Sequence, residues 1–236
     1  MIKKGTEVQL NIESLAFGGM GVSHINDVVT FVKNAIPGQK VTARIIKKRS
    51  SYLEAQSLKV LSESPHFIDV KCEHFRDCGG CTFQNLDYMQ QISAKEVQVK
   101  DIFSRIGKFS NIECDPIVAC DKTFYYRNKM EFTYSNHEYL PDSEKERTPS
   151  DFVLGLHAPG RWDKILNINK CYIQTPIANE ILSAIRKLTA AMEPYNLRKH
   201  TGYLRNVVIR IGAKTGEIMV NIVTSLEDQK SLNPRT

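Results

Sequence analysis

Cysteine is scarce in this sequence, and long apolar runs are absent. Six of the 236 residues are cysteine, and the N-terminal residues lack the charged and apolar pattern of a secretory signal peptide. We therefore expect reduced thiols and a cytoplasmic location rather than a disulfide framework. No apolar stretch approaches the ~18–20 residues of a transmembrane helix. We expect no membrane partner, and we take the protein to be a monomer.

Three of the cysteines are concentrated in one stretch, Cys72-Glu-His-Phe-Arg-Asp-Cys78-Gly-Gly-Cys81. Thiolates this close repel one another unless a cation or a cluster neutralises them, and the glycine pair lets the backbone turn tightly and direct N–H groups at sulfur. With Cys171 far downstream as the fourth ligand, the pattern predicts a metal site, which we interpret as a [4Fe–4S] cluster. Two alternatives remain, a four-cysteine zinc site and ordinary buried thiols that bind no metal.

The remaining two cysteines, Cys114 and Cys120, lie in a predicted connector. Neither has an adjacent base or a helix N-terminus that would lower the pKa of its thiol. We interpret both as structural or inert, and we assign no catalytic residue.

Charge is distributed unevenly along the chain. The net charge is +4 over residues 1–71, −3 over residues 72–184 and +5 over residues 185–236. Basic ends around an acidic middle suit a polyanion that lies across two surfaces. The alternative is that the surplus of positive charge only aids solubility.

The spacing of apolar residues predicts an α+β fold in two parts. Residues 1–62 contain short period-two segments separated by Gly/Pro turns, which predict a small OB-like β-barrel. Residues 63–225 predict an α/β central domain with an antiparallel sheet, and residues 226–236 a frayed tail.

Two helices are predicted in the central domain. The first runs from Phe83 to Ile106, and its apolar stripe could be buried in its own domain or partly exposed. The second begins after Thr175 and ends before Pro194. Its predicted buried face consists of Ile177, Ile181, Ile185, Leu188 and Met192.

Basic and aromatic residues are interleaved at two places. Lys47, Lys48 and Arg49 end a predicted strand, where they could contact phosphate or form a solvated turn. Tyr126, Arg127 and Lys129 belong to a predicted aromatic strand over residues 124–135. Aromatic faces stack bases and cations neutralise phosphate, although an ordinary amphipathic strand has the same pattern.

These motifs carry a resemblance to a known family. Cys72, the run Cys78-Gly-Gly-Cys81-x-Phe-Gln-x-Leu-x-Tyr and the later Tyr126-Arg-Asn-Lys129 resemble the RNA uracil-5 methyltransferases, in particular the branch that acts on 23S ribosomal RNA. Residues 1–62, with Phe17-Gly-Gly-Met-Gly, resemble the RNA-binding TRAM domain. The resemblance runs to about Ser225.

The resemblance implies a TRAM domain, a central [4Fe–4S] domain and a C-terminal domain that uses S-adenosylmethionine. It also implies that Arg205 and Arg210 face RNA, for which surface salt bridges are the alternative. The expected Asp-x-x-x-Gly-x-Gly turn of the cofactor pocket is absent, so we assign no residue to S-adenosylmethionine.

We therefore expect the RNA-recognition portion of a ribosomal RNA uracil-5 methyltransferase, inactive by itself and without the catalytic domain. Its expected partner is ribosomal RNA with a single-stranded or loop uridine. The alternatives are a free-standing RNA-binding protein without enzymatic activity and a zinc-stabilised nucleic-acid-binding module.

Overall fold

The computed structural model describes residues 2–226, which form two compact units with one sheet each. Contacts group residues 2–70 with 83–120, and residues 71–82 with 121–226. The cysteine stretch thus belongs to the second unit, whereas the helix that follows it belongs to the first. No helix within residues 2–226 is both long and apolar enough to cross a membrane. The predicted tail lies outside the described residues from position 227 onward.

The first unit is built on a mixed six-stranded sheet. Its strands are β1 (Glu7–Asn11), β2 (Ser14–Leu15), β3 (Gly21–Ile25), β4 (Val28–Lys33), β5 (Lys40–Lys48) and β6 (Tyr52–Ser62). Their order is β1-β5-β6-β4-β3-β2, and only β4 and β6 pair in parallel. β1 and β2 are consecutive in sequence, but they are the first and the last strand of this order. The predicted strand-rich character is confirmed, and the OB-like closure stays a prediction.

The core of this sheet follows the period-two pattern of the sequence. On β5, Val41, Ala43 and Ile45 are fully buried, whereas the alternate positions are more exposed. The sequence did not predict β3, which begins at a glycine. A Cβ on Gly21 would lie 2.7 Å from Ile12 Cγ2, so the missing side chain makes room for Ile12 in the segment between β1 and β2.

Helix α1 spans Tyr88–Asp101 and continues as a π-helical turn at Ile102–Ile106. The predicted start at Phe83 is wrong, because Asp87 caps the helix by accepting hydrogen bonds from the N–H groups of the second and third residues after it. Leu86 and Ile92 are buried. The later residues of the predicted apolar stripe are 39–77% exposed, namely Val99, Ile102, Phe103 and Ile106.

The second unit contains a five-stranded sheet that is antiparallel, as predicted. Its strands are β7 (Lys129–Ser135), β8 (Val153–His157), β9 (Ile165–Asn167), β10 (Leu204–Ile211) and β11 (Ile218–Thr224), in the order β11-β10-β7-β8-β9. The predicted strand over residues 124–135 is shorter than expected. Tyr125 N and Arg127 N instead donate to the carbonyls of Tyr172 and Ile173, at 2.9 and 2.8 Å.

Helix α2, Pro176–Leu188, belongs to the same core cluster as the apolar face of this sheet. Its predicted start is confirmed, but its predicted buried face and its end are corrected. Ala178, Leu182 and Ile185 are the buried residues, whereas Ile177 and Leu188 are 41% and 79% exposed. The helix ends at Leu188, before the predicted stop at Pro194.

Candidate cysteine site and nucleic-acid surface

The cysteine stretch is held against the second unit by short backbone contacts. Cys78 N donates to His74 O at 2.9 Å, and Gly79 N donates to His157 O at 2.9 Å at the end of β8. A Cβ on Gly79 would lie 3.0 Å from that carbonyl oxygen, so a side chain here would press on the strand. Gly80 N donates to Cys78 Sγ at 3.4 Å. The glycine pair therefore has both predicted uses, a close turn and an N–H group directed at sulfur.

Cys171 is buried and is fixed by α2. Its N–H donates to Asn179 Oδ1 at 2.8 Å, and Asn179 Nδ2 donates to Cys171 O at 3.0 Å. Cys78 and Cys81 pack against the hydrophobic cluster that contains Cys171. Cys78, Cys81 and the distant Cys171 thus share one core cluster of the second unit.

The thiols of Cys72 and Cys78 are affected by burial and by the other cysteines of the predicted set. Burial is the main cause that raises the pKa of Cys78 to about 11, and the negative charges that Cys81, Cys171 and Cys72 would carry as thiolates contribute to that same shift. Burial also raises the pKa of Cys72, with smaller contributions from Cys81 and Cys171. Thiolates at these positions would need a positively charged group among them.

The chemistry of the donor set fits a four-cysteine cluster. Among residues 2–226, however, no group of three or more His, Cys, Asp or Glu side chains is close enough to hold a single metal ion. His74 accepts a hydrogen bond from Asn169 N through Nε2 at 3.3 Å. That contact ties the stretch to the segment that leads to Cys171.

The basic cluster at the end of β5 is partly neutralised. Lys47 Nζ lies 2.6 Å from Glu54 Oε1, and this hydrogen bond raises the pKa of Lys47. Lys48 Nζ donates to Ile2 O at 3.2 Å. Lys48 and Arg49 are exposed, so they are the members of the cluster most open to phosphate.

In the second unit the predicted RNA-binding residues are all exposed, and two of them pair across strands. Lys129 on β7 lies opposite Arg210 on β10, so two cations are direct neighbours. Arg127 Nε donates to Lys129 O at 3.1 Å. Arg205 stacks on the ring of Tyr195 at 4.5 Å. The structure thus brings Arg127, Lys129 and Arg210 together at the end of the sheet where β7 begins and β10 ends.

The sheet has an apolar face and a polar face. Met130, Phe132 and Tyr134 of β7 point into the core with α2. The alternate residue Thr133 accepts a hydrogen bond from Asn206 Nδ2 at 3.1 Å, and its Oγ1 lies 3.1 Å from His157 Nε2. A row of polar groups across β10, β7 and β8 therefore lies on the face opposite α2.

A groove of ≈ 670 Å³ lies beside this face, and the sequence interpretation missed one of its main residues. It is lined by Gly79, Gly80, Arg127, Lys129, Met130, Glu131, Leu156, His157, Ala158, Pro159, Gly160, Arg161 and Trp162. Trp162 is 66% exposed. The signal in the sequence was a tryptophan directly after Pro159-Gly160-Arg161, that is, a large aromatic side chain at a predicted turn.

A family model and several relatives match this chain. Residues 3–58 match the TRAM domain. An uncharacterized RNA methyltransferase of Chlorobaculum tepidum is 36% identical, over 96% of this chain and 49% of its own. Proteins of the same description from Bacteroides thetaiotaomicron and Clostridium tetani are 38% and 34% identical, over 92% and 100% of this chain and 49% and 50% of theirs. The chain spans about half the length of these relatives.

One solved structure has a similar fold. It is the crystal structure of the Pyrococcus abyssi tRNA (uracil-54, C5)-methyltransferase in complex with S-adenosyl-L-homocysteine. The TM-score is 0.68 at 22% sequence identity, and the match covers 96% of this chain and 48% of that one. The likeness extends over both units of the present fold.

Proposed function

We propose that this chain is the RNA-recognition part of an S-adenosylmethionine-dependent RNA uracil-5 methyltransferase, belonging to that family's 23S ribosomal RNA branch. The observation that carries the proposal is the similarity to three relatives named as RNA methyltransferases over 92–100% of the chain. The TRAM match at residues 3–58 supports an RNA substrate. The fold of a uracil-5 methyltransferase supports the reaction class.

The structure offers a surface for the RNA in each unit. The exposed Lys48 and Arg49 at the end of β5 can contact phosphates of one segment. Arg127, Lys129 and Arg210 lie along the second sheet, next to a face of polar side chains. Phosphate contacts position the RNA, and the polar face can contact base edges of an unpaired segment.

The four cysteines are proposed to hold a [4Fe–4S] cluster. The support is the donor set, in which Cys72, Cys78 and Cys81 come from one stretch and Cys171 from the segment before α2. When bound, the cluster would supply a cross-link between positions far apart in sequence. Zinc is the second candidate, since the same ligands build zinc sites. Iron and sulfide analysis of anaerobically purified protein distinguishes the two.

Ribosomal RNA with an unpaired uridine is the proposed substrate, and the proposed state is a cytoplasmic monomer. The sharpest test removes and then restores the gene that encodes this chain. Removing the gene should abolish one 5-methyluridine in 23S ribosomal RNA, mapped by mass spectrometry of RNA fragments, and restoring it should return the modification. Loss of 5-methyluridine from transfer RNA alone would overturn the ribosomal assignment. An unchanged 5-methyluridine content in both RNAs would contradict the proposed activity.

Recognition by this part of the protein can be tested separately. The chain should bind a ribosomal stem–loop that contains an unpaired uridine more tightly than the corresponding perfect duplex, measured by fluorescence anisotropy of labelled RNA. Equal affinity for both RNAs would show that the chain supplies only non-specific electrostatic binding.

A further inference from the structure

The groove beside the polar sheet face contains an aromatic residue to which no role has yet been assigned. Trp162 is the single tryptophan of the chain and is 66% exposed. It lies in the turn between β8 and β9, after Pro159 and Gly160. Large aromatic side chains normally bury much of their surface, so the exposed indole on this turn is available for contact with a ligand.

The turn that carries Trp162 is held in place by hydrogen bonds and ion pairs. Ala158 N donates to Lys164 O at 2.9 Å across its base. Arg161 makes a two-point contact with the carboxylate of Asp163, at 3.0 Å for both nitrogens, and Arg198 Nη2 lies 3.4 Å from Asp163 Oδ2. The indole is therefore presented from a fixed turn, which lowers the entropic cost of using it as a contact.

Cationic side chains and apolar side chains line the same groove as the indole. Arg127 and Lys129 line the same groove, and Lys129 is opposite Arg210 on the neighbouring strand. The carboxylate of Glu131 also lines the groove, 3.7 Å from Lys129 Nζ. An aromatic platform beside cations matches the chemistry of a single-stranded nucleic acid, which offers a base to stack and phosphates to neutralise.

We propose that Trp162 is a stacking platform for an unpaired RNA base, with Arg127 and Lys129 as contacts to the adjoining phosphates. This inference rests on the proposed RNA-binding function and specifies where in the second unit an unpaired base is held. The groove has a volume of ≈ 670 Å³, which is within the range of small-ligand sites. A duplex keeps its bases stacked on one another, so it cannot use the platform.

Because the chain has one tryptophan, its tryptophan fluorescence, excited at the red edge where the tyrosines do not absorb, reports on this position alone. The experiment titrates the full chain with a short single-stranded RNA that contains a uridine, and follows both the tryptophan emission and the anisotropy of a label on the RNA. We expect saturable quenching of the emission, with the same Kd as the anisotropy change. The duplex of the same sequence should leave the emission unchanged.

Substitutions separate stacking from general apolar contact. Trp162→Ala and Trp162→Leu should each weaken single-strand binding about 5- to 150-fold, the usual range for removing one stacked base contact. Trp162→Phe, which keeps an aromatic face, should retain most of the affinity. Leu188→Ala is the matched control, because Leu188 is 79% exposed and lies at the end of α2 on the other side of the sheet. It should bind like the parent chain.

Two contrary outcomes are distinguishable. If the anisotropy shows binding, but the emission does not change and Trp162→Ala binds like the parent chain, the stacking role is overturned while RNA recognition stands. If the anisotropy shows no binding of any RNA, the proposed function itself fails, and the stacking role fails with it. The parent chain's fluorescence gives the first answer even where a variant does not fold.

Discussion

Cys78 is the residue at which the proposed cluster can be tested most directly. It lies between Gly79 and the backbone of His74, and its sulfur accepts a hydrogen bond from Gly80 N. Serine keeps the size of the side chain but ligates iron poorly. We expect Cys78→Ser to lose iron and sulfide, measured by chemical analysis, and to lower Tm by about 10 °C or more, because a structural metal group contributes several kcal/mol to folding.

Cys120→Ser is the matched control for this change. Cys120 is exposed and belongs to the first unit, so its substitution should leave the metal content and Tm unchanged. A Cys78→Ser protein with the parent's Tm would show that the cluster has no structural role. A Cys78→Ser protein with the parent's iron content would remove Cys78 from the ligand set.

Glu138 gives a prediction for pH dependence. Its side chain is 4% exposed, and its carboxylate accepts hydrogen bonds from Arg147 Nη1 and Nη2 and from Ser150 N, at 3.0, 2.8 and 3.0 Å. Burial alone would raise its pKa, but these contacts outweigh burial and leave the pKa below its usual value. The charged form is therefore favoured in the folded state.

A carboxyl whose pKa is lowered by folding stabilises the protein above its unfolded pKa of about 4.3, and that contribution is lost as pH falls through the folded pKa. Glu138→Gln should cost about 1–3 kcal/mol at pH 7, since it weakens hydrogen bonds to a buried acceptor. The difference in Tm between variant and parent should shrink steadily below about pH 4.3. A difference that stays constant down to pH 3 would contradict this account.

At the scale of elements, the two helices have different N-terminal caps. Asp87 accepts hydrogen bonds from Met89 N and Gln90 N, at 3.0 and 3.3 Å, at the start of α1. Thr175 occupies the same position before α2, but its side chain makes no capping hydrogen bond and its Oγ1 has no partner within the described part of the chain.

We therefore expect Asp87→Ala to reduce the free energy of unfolding by about 1 kcal/mol, the usual cost of losing a capping side chain. Thr175→Ala should cost much less, because it removes a buried hydroxyl that makes no hydrogen bond. Chemical denaturation of both variants measures the difference. Equal losses would mean that the cap of α1 contributes nothing specific.

The same elements show how far the sequence determines the fold. The alternation in β5 predicted its strand, and Thr175-Pro176 predicted the start of α2, because both signals are local. The start of α1 was placed too early, since the helical spacing runs through Phe83 while the capping residue is Asp87. Strand β3 was missed because its glycine is explained only by the approach of Ile12, in the segment between β1 and β2.

The cysteines of the candidate site were singled out from the sequence, whereas the groove beside the second sheet was not. Cysteine spacing identified the stretch, and the hydrogen bond from Asn169 N to His74 Nε2 ties it to the segment that leads to Cys171, a contact that sequence alone does not predict. Arg127 and Lys129 were recognised from their pattern, whereas Trp162 was not. Trp162 lines the same groove as Arg127 and Lys129 only because β7 and β8 pair. The periodicity of a sequence does not predict such a contact between separate segments.

At the scale of the whole molecule, the position of a positive charge should matter for RNA binding more than for stability. The chain carries a net charge of +6, yet its acidic middle shows that the sum alone does not locate the RNA. Arg210 is exposed and lies opposite Lys129 on the polar side of the second sheet. Lys187 is equally exposed but lies in the last turn of α2, on the other side. The two residues therefore form a matched pair.

Arg210→Gln should weaken binding to all RNA sequences by a similar factor, and should reduce the slope of log K against log salt by about 1, the amount expected for one lost phosphate contact. Its Tm should not fall, because two cations that face each other across strands repel. Lys187→Gln should leave both the affinity and the slope unchanged. If the two variants lose slope equally, the RNA responds only to net charge and does not follow the polar sheet face. If only Arg210→Gln loses slope, the RNA crosses β10 and β7 where the two cations meet.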